Sequence, residues 1–142
     1  MMNIKRMICC AFLAAMCAGS FAQDQEEWKL VWSDEFNING RRVFTVWNYE
    51  IGFQRNHEDQ WYQPANAYCK GGCLVIEAKK EKKERKNPGY DKNSQRWPQN
   101  VENIRYTSAL LNTAQKKEFL YGRVEVRAKI PTASGAWPAI WL

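Results

Sequence analysis

Strict alternation over eight residues is the sequence feature that most constrains the fold. Within residues 123–130 every second position is apolar and every position between is charged; the apolar positions are Val124, Val126, Ala128 and Ile130. Because successive side chains of a β-strand point to opposite faces, this pattern predicts a strand with one buried and one solvated face. After residue 22, no apolar run at helical spacing exceeds one or two turns. The chain is therefore predicted to be all-β.

Further runs of β-branched and aromatic residues are separated by Gly, Pro, Asn and Asp. They are residues 29–32, 47–51, 60–63, 74–78 and 106–110. Short runs bounded by turn residues are typical of β-sandwiches and barrels. Gly71-Gly72 is predicted to form a hairpin turn, since glycine supplies the positive φ that such turns require. With 142 residues the chain has room for one domain at most.

The first 22 residues have the pattern of a signal peptide. Lys5 and Arg6 precede an apolar run over residues 7–17, and the small residues Ser20 and Ala22 mark a cleavage site after Ala22. The run is shorter than the ~20 residues that a membrane span requires, and no later segment is apolar enough. We expect an exported protein with no membrane span: secreted, periplasmic or at the cell surface. Cleavage leaves residues 23–142 and lowers the formal net charge from +6 to +4, since only Lys5 and Arg6 are lost.

Two of the five cysteines remain after cleavage, Cys69 and Cys73. They flank the predicted Gly71-Gly72 turn, across which they could face one another. An oxidising compartment would allow a disulfide between them. A zinc site needs four ligands, and residues 23–142 offer one histidine, His57, and no second cysteine pair. No metal site is therefore expected.

Residues 79–86 contain six cations and two glutamates. One interpretation is a patch for acidic partners such as sulfated glycans or nucleic acid. The other is a solvated loop joining two strands. The interleaved glutamates dilute the positive field and favour the loop. An exported protein is not expected to have a nucleic-acid partner.

Seven tryptophans and six tyrosines all follow the predicted signal peptide. In an extended chain Trp137 and Trp141 share one face, with the small Ala139 between them. Aromatic rings have apolar faces that stack on sugar rings, so this pair predicts an aromatic floor for a flat glycan. Pro138 favours an edge or bulge position near a cleft. The alternative is that both indoles fill the interior of a sandwich.

Eight blocks of the sequence together resemble glycoside hydrolase family 16, most closely its bacterial laminarinase-like, endo-β-1,3-glucanase branch. In chain order they are WSDEFN (32–37), WNYEIG (47–52), NHEDQWY (56–62), NA (66–67), LVIEA (74–78), YTSA (106–109), YGRVEVRAKIP (121–131) and GAWPAIW (135–141). Any one block is weak evidence, whereas eight in the same order are strong. The last two are the most specific.

The resemblance implies a concanavalin A-like jelly-roll β-sandwich of two antiparallel sheets, with a glycan cleft across the concave one. It also implies retaining hydrolysis of β-glucans, in which one carboxylate attacks and a second acts as acid and base. The family carries these groups on a Glu-x-Asp-x-x-Glu strand, which we expect beyond Leu142. Residues 23–142 would then be the N-terminal portion of the catalytic domain, truncated and inactive alone. No catalytic residue is assigned within it.

For binding, the resemblance places Asn56, Trp137 and Trp141 in the cleft, although Asn56 could equally be a turn residue. Many family members have arginine where this chain has Leu110, so the preferred glucan is left open. The implied partner is a polysaccharide, and we expect a monomer. No cofactor is required, although some family members bind a structural calcium ion that the full-length parent could share.

Two alternatives belong to other functional classes. A non-catalytic glycan-binding module would keep the aromatic floor without the acid pair. A basic surface protein would instead bind acidic polymers through residues 79–86, and its binding would weaken at high salt.

Overall fold

The computed structural model describes residues 28–40 and 45–142. These fall into two compact units, one up to Asp34 and one from Glu35 to Leu142. The predicted signal peptide lies outside the described residues. None of the helices in the described ranges combines the length and apolar character that crossing a bilayer requires.

The second unit is built mainly of strands, which confirms the all-β class. The strands are β1 (Asn48–Tyr49), β2 (Gln60–Tyr62), β3 (Ala67–Cys69), β4 (Leu74–Ile76), β5 (Lys79–Lys86), β6 (Asn103–Ser108) and β7 (Leu111–Asn112). A 3₁₀ turn spans Pro64–Asn66, and a short helix, α1, spans Trp97–Asn100. Predicted runs 60–63, 74–78 and 106–110 therefore contain β2, β4 and part of β6.

The largest sheet has the strand order β2-β6-β5. Strand β5 runs antiparallel to β6, whereas β2 runs parallel to it, with Trp61 opposite Thr107. The backbone N–H of Gln63 extends this parallel pairing by donating to the Ser108 carbonyl at 2.9 Å. The other two sheets are the antiparallel pairs β1-β7 and β3-β4.

The β3-β4 hairpin confirms the predicted Gly71-Gly72 turn. Both glycines have positive φ, 58° and 71°, which is the pattern of a type I′ turn. Lys70 and Cys73 close the turn through two backbone hydrogen bonds of 2.9 and 3.2 Å. Any other residue type would adopt these two dihedrals at a steric cost.

The hairpin register does not bring Cys69 and Cys73 face to face, and that expectation was wrong. Cys69 lies opposite Leu74, while Cys73 lies opposite Lys70. Cys69 shares a face of the hairpin with its partner Leu74, and Cys73, the neighbour of Leu74, points to the opposite face. Cys69 is accordingly buried and Cys73 exposed. The two described cysteines are not bonded to each other, and thiols that point apart cannot be bridged without backbone movement.

Thiol labelling tests this arrangement. In the folded chain we expect Cys73 to react with a maleimide within minutes and Cys69 to react only in denaturant, because a buried thiol is not accessible to the reagent. Peptide mass spectrometry identifies the labelled site. A peptide with Cys69 linked to Cys73, recovered without reductant, would contradict the register.

The charged run of residues 79–86 is strand β5, so its interpretation as a loop was wrong. Lysine and glutamate have low strand propensity, but propensity yields to context in sheets. Here β6 provides the context: Lys79 pairs with Thr107 and Lys86 with Asn103, with a register shift between Lys80 and Arg85.

Two predicted strands, residues 29–32 and 123–130, are not strands in the structure. The second segment is exposed along its whole length. Alternation defines which face a strand would bury, but a strand forms only where a neighbouring chain accepts and donates its backbone hydrogen bonds. Among the described residues, none pairs with this segment.

A buried polar network joins the largest sheet to the β3-β4 hairpin. Asn66 lies at its centre: its side-chain N–H groups donate to the Glu77 carbonyl at 2.8 Å and to Thr107 Oγ1 at 3.0 Å. Its Oδ1 accepts from Gln63 Nε2 at 2.7 Å. The Thr107 hydroxyl in turn donates to Glu81 at 2.6 Å. Asn66 and Thr107 are both fully buried.

Candidate functional site

A tight turn presents Asn56 at the surface just before β2. Asn56 and His57 both have positive φ, 59° and 54°, and the N–H of Glu58 donates to the Arg55 carbonyl at 3.2 Å. Asparagine tolerates this conformation better than most residues. Asn56 is thus a turn residue. Its amide is nevertheless exposed, with one contact of 3.4 Å to Glu58.

The two arms of this turn are held together at Gly52 and Tyr62. Their backbones exchange two hydrogen bonds of 2.9 and 3.0 Å. Gly52 has φ of 97°, and a Cβ at this position would meet the Trp61 ring at 3.5 Å. The backbone conformation therefore favours glycine, whereas a Cβ here would make only an ordinary van der Waals contact with the indole.

Aromatic side chains brace the turn. Phe53 is buried between Trp61 and Trp97, with ring centroids at 5.4 and 5.7 Å in edge-to-face arrangements. Trp97, on α1, also lies 5.0 Å from the His57 ring. Edge-to-face geometry is a favoured aromatic contact. Residues some 40 positions apart in the chain thereby fix the position of the Asn56 turn.

The segment that carries Trp97 is itself held by Asn87. Its side-chain amide donates to the carbonyls of Pro98 and Val101, both at 2.8 Å, and its Oδ1 accepts from the Gly89 N–H. Between this segment and the turn lies a cavity of about 500 Å³. Its lining includes Phe53 and Trp97, together with the carboxylates Glu58, Asp59 and Glu102.

The structure brings Trp141 to the Asn56 turn. The Arg55 guanidinium lies 5.9 Å from the centre of the Trp141 ring, within cation–π range. Glu50 orients the guanidinium through a 2.5 Å ion pair and also accepts from the Asn112 amide. Trp141 is 69% exposed, so most of its indole faces solvent.

Trp137 is not brought to the same place. It is 92% exposed and makes no ring contact with the described residues. The alternative in which both indoles fill the sandwich interior is wrong for this structure, because both are at the surface. Residues 133–136, just before Trp137, form a turn, in which the Ala136 N–H donates to the Ala133 carbonyl at 3.0 Å.

Several carboxylates of the described residues have hydrogen-bond or ion-pair partners. Glu58 accepts from the Tyr62 hydroxyl at 2.7 Å. Burial, and then this hydrogen bond, raise the pKa of Tyr62 to about 12. The hydrogen bond that Glu77 accepts from Lys79 lowers the pKa of Glu77. Glu125 pairs with Arg123 at 2.7 Å. We assign no catalytic residue, and the described residues include no cluster of three or more metal-ligating side chains.

Sequence reasoning missed Arg55, His57 and Trp97 as parts of this site. Arg55 and His57 flank Asn56, so their proximity could have been inferred. Trp97 lies in the polar segment between β5 and β6, and no local pattern connects it to Phe53. Its aromatic side chain in an otherwise polar segment was the only signal.

Comparison with known proteins relates this chain to proteins whose descriptions concern beta-glucans. The family model for beta-glucan synthesis-associated proteins SKN1/KRE6/Sbg1 matches residues 15–142. A beta-glucanase from Rhodothermus marinus is 36% identical over 154 residues, which cover 100% of this chain and 48% of the relative. This chain therefore spans about half the length of that relative.

Two solved structures share the fold. The catalytic domain of an endo-1,3-beta-glucanase (laminarinase) from Thermotoga petrophila RKU-1 is 34% identical, with a TM-score of 0.52 over 68% of this chain and 35% of that one. A chain described among endo-acting O-glycanases, which prominent human gut bacteria express to initiate mucin breakdown, is 36% identical. Its TM-score is 0.58 over 69% of this chain and 35% of that one.

The strands, the ordered sequence blocks and the laminarinase relatives support a β-sandwich protein of the laminarinase-like branch of glycoside hydrolase family 16. By its match over residues 15–142, the chain belongs to the SKN1/KRE6/Sbg1 family of beta-glucan synthesis-associated proteins.

Proposed function

We propose that the protein is an exported, endo-acting β-glucan hydrolase with a retaining mechanism, and that the Asn56 turn together with Trp141 forms part of its glycan cleft. The observation that carries this proposal is the contact between Arg55 and Trp141. It brings the exposed indole of Trp141 to the residue that precedes Asn56, although Trp141 and Asn56 are 85 positions apart in the chain.

The chemistry of this pair suits a sugar chain. With Arg55 against one side of the indole, its exposed side can stack on the C–H face of a sugar ring. The Asn56 amide can both donate to and accept from hydroxyl groups. The relatives include a beta-glucanase and a laminarinase, so the β-1,3-glucan laminarin is the first substrate to test.

The remaining features of the proposal follow the family. The retaining carboxylate pair belongs on a Glu-x-Asp-x-x-Glu strand, which the resemblance places after residue 142. The whole protein would act as a secreted, periplasmic or cell-surface monomer. It would need no cofactor for the chemistry, and a calcium ion, where bound, would be structural.

A second candidate is a glycan-binding protein without hydrolytic activity. Its support is the description of the matching family as associated with beta-glucan synthesis. The release of reducing ends from laminarin by the whole protein separates the two. Binding without release would favour this second candidate, and release would exclude it.

Substitutions of Trp141 and Asn56 test the proposed cleft. We expect Trp141→Ala to weaken binding of laminarin oligosaccharides by about ten-fold, ~1.4 kcal/mol, through loss of stacking. Asn56→Gly keeps the positive φ of the turn but removes the amide, and a lost hydrogen bond should weaken binding by roughly three- to ten-fold. Isothermal titration calorimetry measures both effects.

Two controls separate binding from folding. Trp28→Ala removes an indole that is 63% exposed and lies outside the turn, and should leave the affinity unchanged. Asn56→Ala removes the same amide as Asn56→Gly but strains the turn. If Asn56→Gly binds normally and only Asn56→Ala is impaired, Asn56 is a turn residue alone. Equal affinities for Trp141→Ala and Trp28→Ala would contradict the cleft.

A further inference from the structure

The positive charge of the chain is concentrated on strand β5. The strand carries six cations and two glutamates, a formal charge of +4. Residues 23–142 as a whole have the same net charge, so all other residues together are neutral. A local concentration of one sign of charge attracts and retains counter-charged ligands.

A bulge gives this charge a defined shape. Lys80 lies opposite Tyr106 and Arg85 opposite Ile104, so residues 81–84 together oppose only Arg105. The extra length bends the strand and borders a shallow, open depression of about 740 Å³. Its lining residues are Lys79, Lys80, Glu81, Lys82, Lys83 and Arg85.

The two glutamates of β5 lower its net charge but do not form ion pairs with its central lysines. Glu81 accepts the hydroxyl of the buried Thr107, and Glu84 pairs with Arg105 on β6 at 2.9 Å. Other carboxylates pair with the two ends of the strand, at Lys79 and Lys86. Within the described part of the chain, no carboxylate lies within ion-pair distance of Lys80, Lys82 or Lys83. We call these three residues the cationic bulge.

Protection of the sheet edge does not account for the cationic bulge. Strand β5 is the outer strand of its sheet, and charged residues and bulges on outer strands prevent pairing with other chains. The register shift already breaks the hydrogen-bonding edge. Three lysines that have no carboxylate partner among the described residues, grouped on one ordered strand, go beyond what edge protection needs.

We propose that the cationic bulge is a second binding surface, for anionic glycans that carry sulfate or carboxylate groups. Lysine ammonium groups are compact point charges on flexible stems, which suits anionic groups distributed along a sugar polymer. Surfaces that bind single-stranded nucleic acid add aromatic side chains on which bases stack, and β5 has no aromatic residue. The bulge is on β5, whereas the Asn56 turn precedes β2 at the opposite edge of the sheet.

Dextran sulfate and uncharged dextran are matched probes for this surface. We expect the unsubstituted chain to bind dextran sulfate and not dextran at low salt, and binding should be lost near 1 M salt, where the screening length falls to about 3 Å. The triple variant Lys80→Gln, Lys82→Gln, Lys83→Gln should bind dextran sulfate at least about ten-fold more weakly, ~1.4 kcal/mol. Its binding of neutral laminarin oligosaccharides should be unchanged.

The control variant carries Lys70→Gln, Lys92→Gln and Lys129→Gln. It loses the same charge from exposed lysines outside β5 and should bind dextran sulfate within about two-fold of the unsubstituted chain, because these lysines are not part of the bulge. Equal losses in both variants would mean that only net charge matters, and would overturn the proposal. So would tighter binding of a single-stranded DNA oligonucleotide than of dextran sulfate at the same salt. If the unsubstituted chain binds dextran sulfate but not laminarin oligosaccharides, only the proposed cleft is contradicted.

Discussion

Asn66→Asp should destabilise the fold by about 3 kcal/mol, the largest effect that we expect from a single substitution. Asn66 is 1% exposed, and its amide donates to the Glu77 carbonyl and to Thr107 Oγ1. A carboxylate of the same shape cannot donate, so both acceptors would be left facing an oxygen. It would also place a second negative charge near Glu81, which Thr107 already contacts.

Urea unfolding followed by tryptophan fluorescence measures this loss, since the free energy of unfolding falls linearly with denaturant. The matched control is Asn93→Asp, an exposed position, which should change the free energy by less than about 0.5 kcal/mol. Burial would raise the pKa of the introduced carboxyl above its unfolded value, so the penalty should grow as pH rises through the ordinary range for aspartate. If the Asn66→Asp and Asn93→Asp variants are equally stable, the buried network does not support the fold.

The local features of this fold could be predicted from the sequence. The Gly71-Gly72 turn requires only two adjacent residues with positive φ, and the sequence contains two adjacent glycines there. Runs 60–63 and 74–78 contain strands because their β-branched and aromatic residues favour half-buried pleated surfaces. The eight sequence blocks indicated the family, because their shared order depends on most of the chain and not on any one element.

Strand β5 and residues 123–130 show why composition and alternation are not sufficient. The lysine-rich run has poor strand propensity and yet forms a strand, because β6 offers it a partner. Residues 123–130 alternate perfectly and yet remain exposed and unpaired among the described residues. In both cases the deciding factor is a neighbouring strand, which the residues themselves do not encode locally.

The candidate site, like the fold, could be predicted from the sequence only in part. Asn56 was identified from the family blocks, and the structure adds that its backbone holds a turn. The contact between Trp141 and Arg55 and the packing of Trp97 on Phe53 join residues far apart in the chain. Asn66 appeared in the sequence only as part of a two-residue block. Its role depends on a burial that no local pattern indicates.

Alkaline pH should destabilise the fold through Tyr62. Its phenol is buried and donates to Glu58, and its pKa is raised from 10.0 to about 12. Below pH ~10 the phenol is protonated in both states and its stabilising contribution is complete. As pH rises from about 10 towards 12, the unfolded chain releases the proton first, so the free energy of unfolding falls. This contribution should decline by about 1 kcal/mol between pH ~9 and pH ~11.

Tyr62→Phe isolates this effect from the lysines, which titrate over the same range. At pH ~8 the variant should be less stable by about 1 kcal/mol, because it lacks the hydrogen bond to Glu58. By pH ~11 the difference should have nearly vanished, because only the unsubstituted chain carries a phenol that resists ionisation when folded. Urea unfolding at both pH values gives the two differences. If the two proteins lose stability in parallel, Tyr62 ionises equally easily in the folded and unfolded states, and burial beside Glu58 does not hold its proton.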